Sequence, residues 1–130
     1  MYQMNAEITS VGTELLLGEI VNTDARFLAG ELSELGINVF YQTVVGDNAK
    51  RLEDTLKLAL SRSDLIIATG GLGPTQDDIT KEVISSCCGR ELILDNDSLI
   101  KMKEYLAKKG REMPECNKKQ AMLPKGCIIL

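Results

Sequence analysis

Residues 64–80 read Asp64-Leu65-Ile66-Ile67-Ala68-Thr69-Gly70-Gly71-Leu72-Gly73-Pro74-Thr75-Gln76-Asp77-Asp78-Ile79-Thr80, and this stretch decides the fold class. Leu65 to Ala68 is an unbroken apolar run of strand length, the pattern of a strand buried on both faces of a parallel sheet. The cluster of Gly70, Gly71, Gly73 and Pro74 punctuates it. An amphipathic stretch from about Ile79 to Cys88 then predicts a helix. A buried strand, a glycine-rich turn and a helix form the first part of a βαβ unit.

The same alternation extends to either side. Glu7 to Val11 predicts a strand ending at Gly12, followed by Thr13-Glu14-Leu15-Leu16-Leu17-Gly18. Asn22 or Thr23 is placed to cap a helix to about Leu35, with Ala25, Leu28, Leu32 and Leu35 on its buried face and Gly36 as its stop. The β-branched and aromatic stretch Ile37 to Val45 predicts a second strand. Asn48 caps a helix that buries Leu52, Leu56, Ala59 and Leu60. Downstream, Glu91 to Asp95 predicts a short strand, and Leu99, Met102 and Leu106 mark one face of a helix. Glu115 to Met122 predicts a further helical turn, ahead of Cys127-Ile128-Ile129-Leu130. The expected architecture is a three-layer α/β/α domain over residues 1–130 with a largely parallel sheet. Because the chain stops inside an apolar run, that domain is expected to lack its final portion.

Composition narrows the function. The chain has 130 residues, 44% of them hydrophobic and 26% charged, which fits a soluble globular domain and not a disordered one. The longest apolar runs are about four residues, far short of the roughly 20 needed to span a bilayer, and no signal peptide is visible. Histidine is absent, which removes His-based triads, His–Cys zinc sites and a histidine general base. The four cysteines, Cys87, Cys88, Cys116 and Cys127, form no CxxC motif and read as reduced thiols in a cytoplasmic protein. Residues 1–96 carry 15 acids and 7 bases, net −8, and residues 97–130 carry 4 acids and 8 bases, net +4. The basic part lacks interleaved aromatics, so it reads as solvated helix surface and no nucleic-acid partner is expected.

Loops that follow parallel strands gather at the carboxyl edge of the sheet, where open α/β folds bind ligands. Three such loops carry candidate residues: Gly12-Thr13-Glu14, Gly46-Asp47-Asn48, and the run from Thr69 to Thr80. Gly70, Gly71 and Gly73 permit positive φ, and consecutive amides before a helix can cradle an anion. No Gly-Lys-Ser/Thr follows, so this is not a Walker A loop, and Gln76 stands where a dinucleotide fingerprint needs its third glycine. The alternative is a tight strand-to-helix turn in which Thr75 and Asp78 cap the helix. Asp47, Asp77, Asp78 and Glu14 are expected at the same edge. Acids beside a phosphate repel it unless a cation intervenes, so a divalent ion on one or two carboxylates is expected, with Asp47 and Asp78 the first candidates. Such an ion also activates water without histidine. Helix-dipole stabilisation is the structural reading of the same acids.

Taken together, Val11-Gly12-Thr13-Glu14-Leu15-Leu16-Leu17-Gly18, Asn22-Thr23, Val44-Val45-Gly46-Asp47-Asn48, the loop from Thr69 to Thr80, Gly110-Arg111-Glu112-Met113 and Asn117-Lys118-Lys119-Gln120-Ala121 resemble the N-terminal domain of the CinA family of competence/damage-inducible proteins. More broadly, the chain is similar to molybdopterin-binding domains of the MogA/MoaB kind. The resemblance implies ADP-ribose pyrophosphatase activity dependent on a divalent metal (Mg, Mn or Co type) and potassium. It implies functional roles for Asp47 and Asp78 and carries the ligand loop over onto Gly70, Gly71, Gly73 and Pro74; the reading of the loops themselves adds Asp77 to the acids and Gly12, Thr13, Glu14 and Thr75 to the ligand contacts. It further implies a homo-oligomer, and in many members a C-terminal nicotinamide mononucleotide deamidase domain. The family continues beyond Leu130 with another glycine- and proline-containing loop. Pterin binding with adenylyl transfer, and a non-catalytic nucleotide-binding or assembly module, are the rival functions.

Overall fold

The computed structural model describes residues 2–130; Met1, where the expected domain begins, lies outside the described residues. In chain order the elements are β1 (Asn5–Val11), α1 (Thr13–Leu16), α2 (Thr23–Glu34), β2 (Asn38–Val45), α3 (Ala49–Arg62), β3 (Leu65–Thr69), α4 (Thr80–Cys87), β4 (Leu92–Leu94) and α5 (Asn96–Lys108). A 3-10 helix (Glu115–Ala121) and β5 (Met122–Pro124) follow. β1, β2 and β3 form a parallel sheet in the order β2-β1-β3. β4 and β5 pair antiparallel as a separate two-stranded ribbon.

Alternation along β1 creates the three layers. Side chains of a strand point to opposite faces in turn. Ala6 and Ile8 pack with Ala25 and Leu32 of α2 and with Leu65 and Ile67 of β3. Val11, on the other face, packs with Leu52 and Leu56 of α3 and Val83 of α4. The helices therefore cover both faces, as the α/β/α expectation required. Ile8 and Leu52 are fully buried, each worth about 1.5–3 kcal/mol against exposure.

The helix starts follow the sequence closely. Asn22 caps α2 by accepting from the Ala25 N–H at 3.2 Å. Asn48 caps α3 by accepting from the Arg51 N–H at 3.0 Å. Each satisfies one of the amides that a helix N-terminus leaves without a partner.

Several expectations change. Leu35 and Leu60 are 73% and 53% exposed rather than buried; Leu35 sits at the C-cap of α2, past the turn that faces the sheet. β3 is only half-buried along its length, because it is an edge of the three-stranded sheet. The strand expected at Glu91–Asp95 shortens to Leu92–Leu94 and joins the ribbon, not the main sheet. Cys87 ends α4 and Cys88 is its C-cap. Cys127 to Leu130 form no strand and are exposed. Among the described residues, no helix is long and apolar enough to cross a membrane.

One charged residue lies where an apolar one is the default. Glu7 of β1 is fully buried. Arg62, the last residue of α3, donates to both of its carboxylate oxygens, from Nε at 2.9 Å and from Nη2 at 2.7 Å. Ser63 and Thr43 hydroxyls also donate to it. The Arg62 hydrogen bonds hold the Glu7 carboxyl below the usual carboxylate range, against the opposing effect of burial. Arg62 in turn stacks on Tyr41, with 3.6 Å from guanidinium carbon to ring centroid. This network ties β1, β2 and α3 at the end of the sheet opposite the carboxyl edge.

Candidate functional site

The carboxyl edge is shaped by where the chain goes after each strand. From β1 it passes to α2 on one face, and from β3 to α4 on the other. The loops after β1 and β3 therefore diverge, and with the order β2-β1-β3 the opening between them is the topological switch point of the sheet. A cavity of about 110 Å³ lies there, lined by Val11, Glu14, Leu15, Ile20, Val21, Asn22, Thr23, Asp24, Thr69 and Gly70. Its volume is a fraction of the roughly 300–1,000 Å³ typical of a small-molecule pocket, so it accommodates one part of a nucleotide-sized ligand. A larger groove of about 340 Å³ runs between α3 and α4 over Ile66 and Ala68. Leucine, isoleucine and cysteine dominate its lining, and it lies on a face of the sheet, away from the loops that carry the polar candidates.

The predicted site residues fall into three groups. Glu14 and Gly70 line the switch-point cavity. Gly12, Thr13 and Asp47 form a second group on the β2 side: Asp47 Oδ2 accepts from the Thr13 N–H at 3.3 Å and the Thr13 hydroxyl at 3.1 Å. The Thr13 hydroxyl accepts from the Asp47 N–H at 3.1 Å in return. Gly73, Thr75 and Asp78 form the third: Asp78 Oδ2 accepts from the Thr75 N–H at 2.9 Å and the Thr75 hydroxyl at 2.7 Å. The Thr75 hydroxyl holds the Asp78 carboxyl below its ordinary range; burial opposes this, and the Thr75 and Gly73 N–H groups and Lys119 reinforce it. Asp77 is exposed, and Pro74 is half-buried in the same turn.

Two consequences differ from the sequence reading. First, the room left by the glycines is filled by protein. A Cβ on Gly70 would run into the Val11 carbonyl, one on Gly71 into the Thr80 hydroxyl, and one on Gly73 would lie 2.6 Å from Asp78 Oδ2. Gly70 and Gly71 also adopt φ of +81° and +63°, conformations that cost other residues roughly 1–2 kcal/mol. These glycines let β1, the loop and α4 meet closely. The Thr75 amide is already engaged by Asp78, so it is not free to hold an anion. Second, Thr75 and Asp78 bond to each other without capping α4. That helix starts after Ile79 with no side-chain cap, and the Thr80 hydroxyl instead donates to the Gly70 carbonyl at 2.7 Å.

The carboxylates suit a hard, oxygen-seeking ion in chemical type. Among the described residues, however, no group of three or more acid or cysteine side chains is placed to hold a metal. Asp47 and Asp78 follow β2 and β3, which β1 separates by roughly 9–10 Å at ordinary strand spacing, and each carboxylate is turned into its own loop. The donors fit the mode in which one carboxylate shares an ion with ligand phosphate oxygens, not a closed protein cage.

Residues missed as ligand candidates are Asn22, Thr23, Asp24 and Thr69, which line the cavity. Asn22 was legible only as a cap; its Nδ2 also donates to Ser10 Oγ at 2.9 Å, which pins the rim to β1. The available signal was a polar Asn-Thr-Asp run starting the first helix of a βαβ unit.

Residues 7–129 match the family described as a probable molybdopterin binding domain. A competence-damage inducible protein of Lysinibacillus sphaericus is 59% identical over 127 residues, covering 98% of this chain and 30% of that protein. Its counterpart in Caldicellulosiruptor saccharolyticus is 55% identical, covering 98% and 31%. The chain thus spans about 30% of the length of these curated relatives. Among solved structures, the protein CinA of Thermoplasma acidophilum, described as of unknown function, superposes with a TM-score of 0.86 at 36% identity, covering 97% of this chain and 73% of that one. The tungsten cofactor synthesizing protein MoaB of Pyrococcus furiosus gives a TM-score of 0.61 at 29% identity, covering 66% and 54%. With the family match over nearly its whole length and the CinA structure sharing its fold, the chain belongs to the molybdopterin-binding-domain family, within its CinA group.

Proposed function

We propose that this domain binds the diphosphate-bearing part of ADP-ribose at the switch point between β1 and β3, and that the protein carrying it hydrolyses ADP-ribose to AMP and ribose 5-phosphate. The observation that carries this reading is the cavity at the divergence of the two loops, whose lining includes Glu14, Asp24, Thr69 and Gly70. Carboxylates at such a rim accept hydrogen bonds from sugar hydroxyls. The reaction adds water across one P–O bond of the diphosphate; the leaving phosphate takes the electron pair, and the water proton passes to solvent. We assign one of Asp47 and Asp78 to the divalent ion, shared with the diphosphate oxygens, and the other, with Asp77, to orienting the attacking water. Thr13 and Thr75 hold the first two carboxylates in fixed orientations. A Mg, Mn or Co type ion, when bound, screens the acids from the phosphates and lowers the pKa of water. Potassium, a homo-oligomeric state and a nicotinamide mononucleotide deamidase domain in the full-length protein belong to the same proposal. The test is AMP release from ADP-ribose by the full-length protein with divalent metal; absence of AMP beside a working control pyrophosphatase refutes it.

A second reading is favoured by the family match, whose description is of molybdopterin binding. Under it the same cavity receives a pterin phosphate and the chemistry is adenylyl transfer. Competition between ADP-ribose and a pterin for the full-length protein separates the two, and preferential pterin binding selects the second.

A further inference from the structure

The basic segment near Lys119 has no place in the site as described so far, yet it is tied to the glycine-rich loop. Lys119 Nζ donates to the Thr75 carbonyl at 2.6 Å and also to the Asp78 carbonyl, and it lies 3.5 Å from Glu82 Oε1. The backbone that delivers it is itself clamped: Lys81 of α4 donates from Nζ to the Lys119 carbonyl at 2.7 Å and the Gln120 carbonyl at 3.0 Å. Ala121, the next residue, is fully buried. Two lysines therefore act in series, one fixing the 3-10 segment to α4 and the other reaching from that segment across 41–44 residues of chain to the loop.

We infer that Lys119 is the positioning residue of the glycine-rich loop, holding the Thr75 and Asp78 carbonyls so that Asp78 keeps its orientation at the candidate site. This rests on the ligand reading proposed above. The carbonyls of Thr75 and Asp78 both accept from the Lys119 ammonium. Glu82, 3.5 Å from the same ammonium, keeps a second carboxylate oxygen buried without a hydrogen-bond partner among the described residues, so removing the ammonium also takes a nearby positive charge from this acid. Lys118, one residue earlier, pairs only with Glu115 on its own segment and serves as the control. Because the contacts are backbone carbonyls, the role requires a positive hydrogen-bond donor and not a particular shape, so arginine substitutes for it.

The experiment is amide hydrogen exchange on the full-length protein, comparing wild type with Lys119→Met, Lys119→Arg and Lys118→Met. In wild type the Thr75, Asp78 and Thr80 amides are bonded within the loop. Lys119→Met raises their exchange by about tenfold, the effect of losing a charge-assisted bond. Lys118→Met does not, Lys119→Arg restores protection, and peptides from β1 and α3 are unchanged in all four proteins. A parallel titration with ADP-ribose and Mg²⁺ shows about tenfold weaker binding by Lys119→Met, recovered by Lys119→Arg. Loop exchange equal to wild type in Lys119→Met overturns the inference. So does a rise shared equally by β1 and α3, which marks a general stability role. Failure of wild type itself to bind ADP-ribose ends the proposed function, whereas the exchange comparison still decides the role of Lys119 in the loop.

Discussion

Replacing Gly71 by alanine tests the packing that seats the glycine-rich loop against the start of α4. Gly71 has φ of +63°, and its missing Cβ is the space the Thr80 hydroxyl occupies. An alanine there carries a left-handed penalty of about 1–2 kcal/mol. It also forces Thr80 aside, an overpacking cost of about 1–3 kcal/mol, and breaks the 2.7 Å bond from Thr80 to the Gly70 carbonyl, worth about 1 kcal/mol. The expected loss is about 3–6 kcal/mol, a large share of the roughly 5–15 kcal/mol available to a domain. At a urea slope of about 2 kcal/mol/M this moves the unfolding midpoint down by about 1.5–3 M. Thr80→Ala alone costs about 1–2 kcal/mol, because the Gly70 carbonyl loses its donor. In the double variant the hydroxyl is no longer in the way, so the costs fall short of additive by about 1–3 kcal/mol. A Gly71→Ala midpoint indistinguishable from wild type, or strictly additive losses, refutes the packing account of this glycine.

Other outcomes follow from named contacts. Arg62→Met leaves Glu7 buried without its partner and costs about 3–5 kcal/mol, toward the lower figure because Arg62 is 28% exposed; adding Glu7→Gln recovers much of the loss, and a denaturation midpoint near wild type for Arg62→Met alone contradicts the network. Glu7 and Asp78 both have folded pKa values below their ordinary ones, so their stabilisation is complete above about pH 4 and disappears as pH falls through the folded values. Urea midpoints measured downward from about pH 6 should hold, then drop below about pH 4; a midpoint that rises on acidification has the wrong sign. Asn22→Ala removes both the α2 cap and the bond to Ser10, costing about 1–2 kcal/mol by calorimetry, and it weakens ADP-ribose binding, whereas Asn48→Ala lowers stability through its cap and leaves binding unchanged.

The parts of the fold readable in sequence were those fixed by neighbours along the chain. Asn22 and Asn48 announce helix starts because an N-cap acts over three residues, and Glu7 to Val11 announces a strand, whereas its cover on both faces, by α2 and by α3 with α4, is set by packing. Leu35 and Leu60 misled because an apolar residue at helical spacing is no guarantee of a neighbour to pack on. Glu7 was unreadable as a buried ion pair since its partner Arg62 lies 55 residues away. The same distance effect hid the β4–β5 pairing and the grip of Lys119 on the loop. At the site, three loops were correctly located at one edge, but their internal bonding was not: Asp47 turns to Thr13 and Asp78 to Thr75. Which polar groups satisfy one another first depends on distances that composition and spacing do not contain, and those pairings decide what remains for a ligand.

Nitrogen-15 chemical-shift mapping of the protein titrated with ADP-ribose and Mg²⁺ addresses the switch-point assignment directly. Amide shifts at Glu14, Asn22, Asp24, Thr69 and Gly70, moving together on one binding curve, are the predicted result. Shifts confined to Leu60, Ile66 and Cys87 in the groove between α3 and α4, or a spectrum that ADP-ribose leaves unchanged, contradict it.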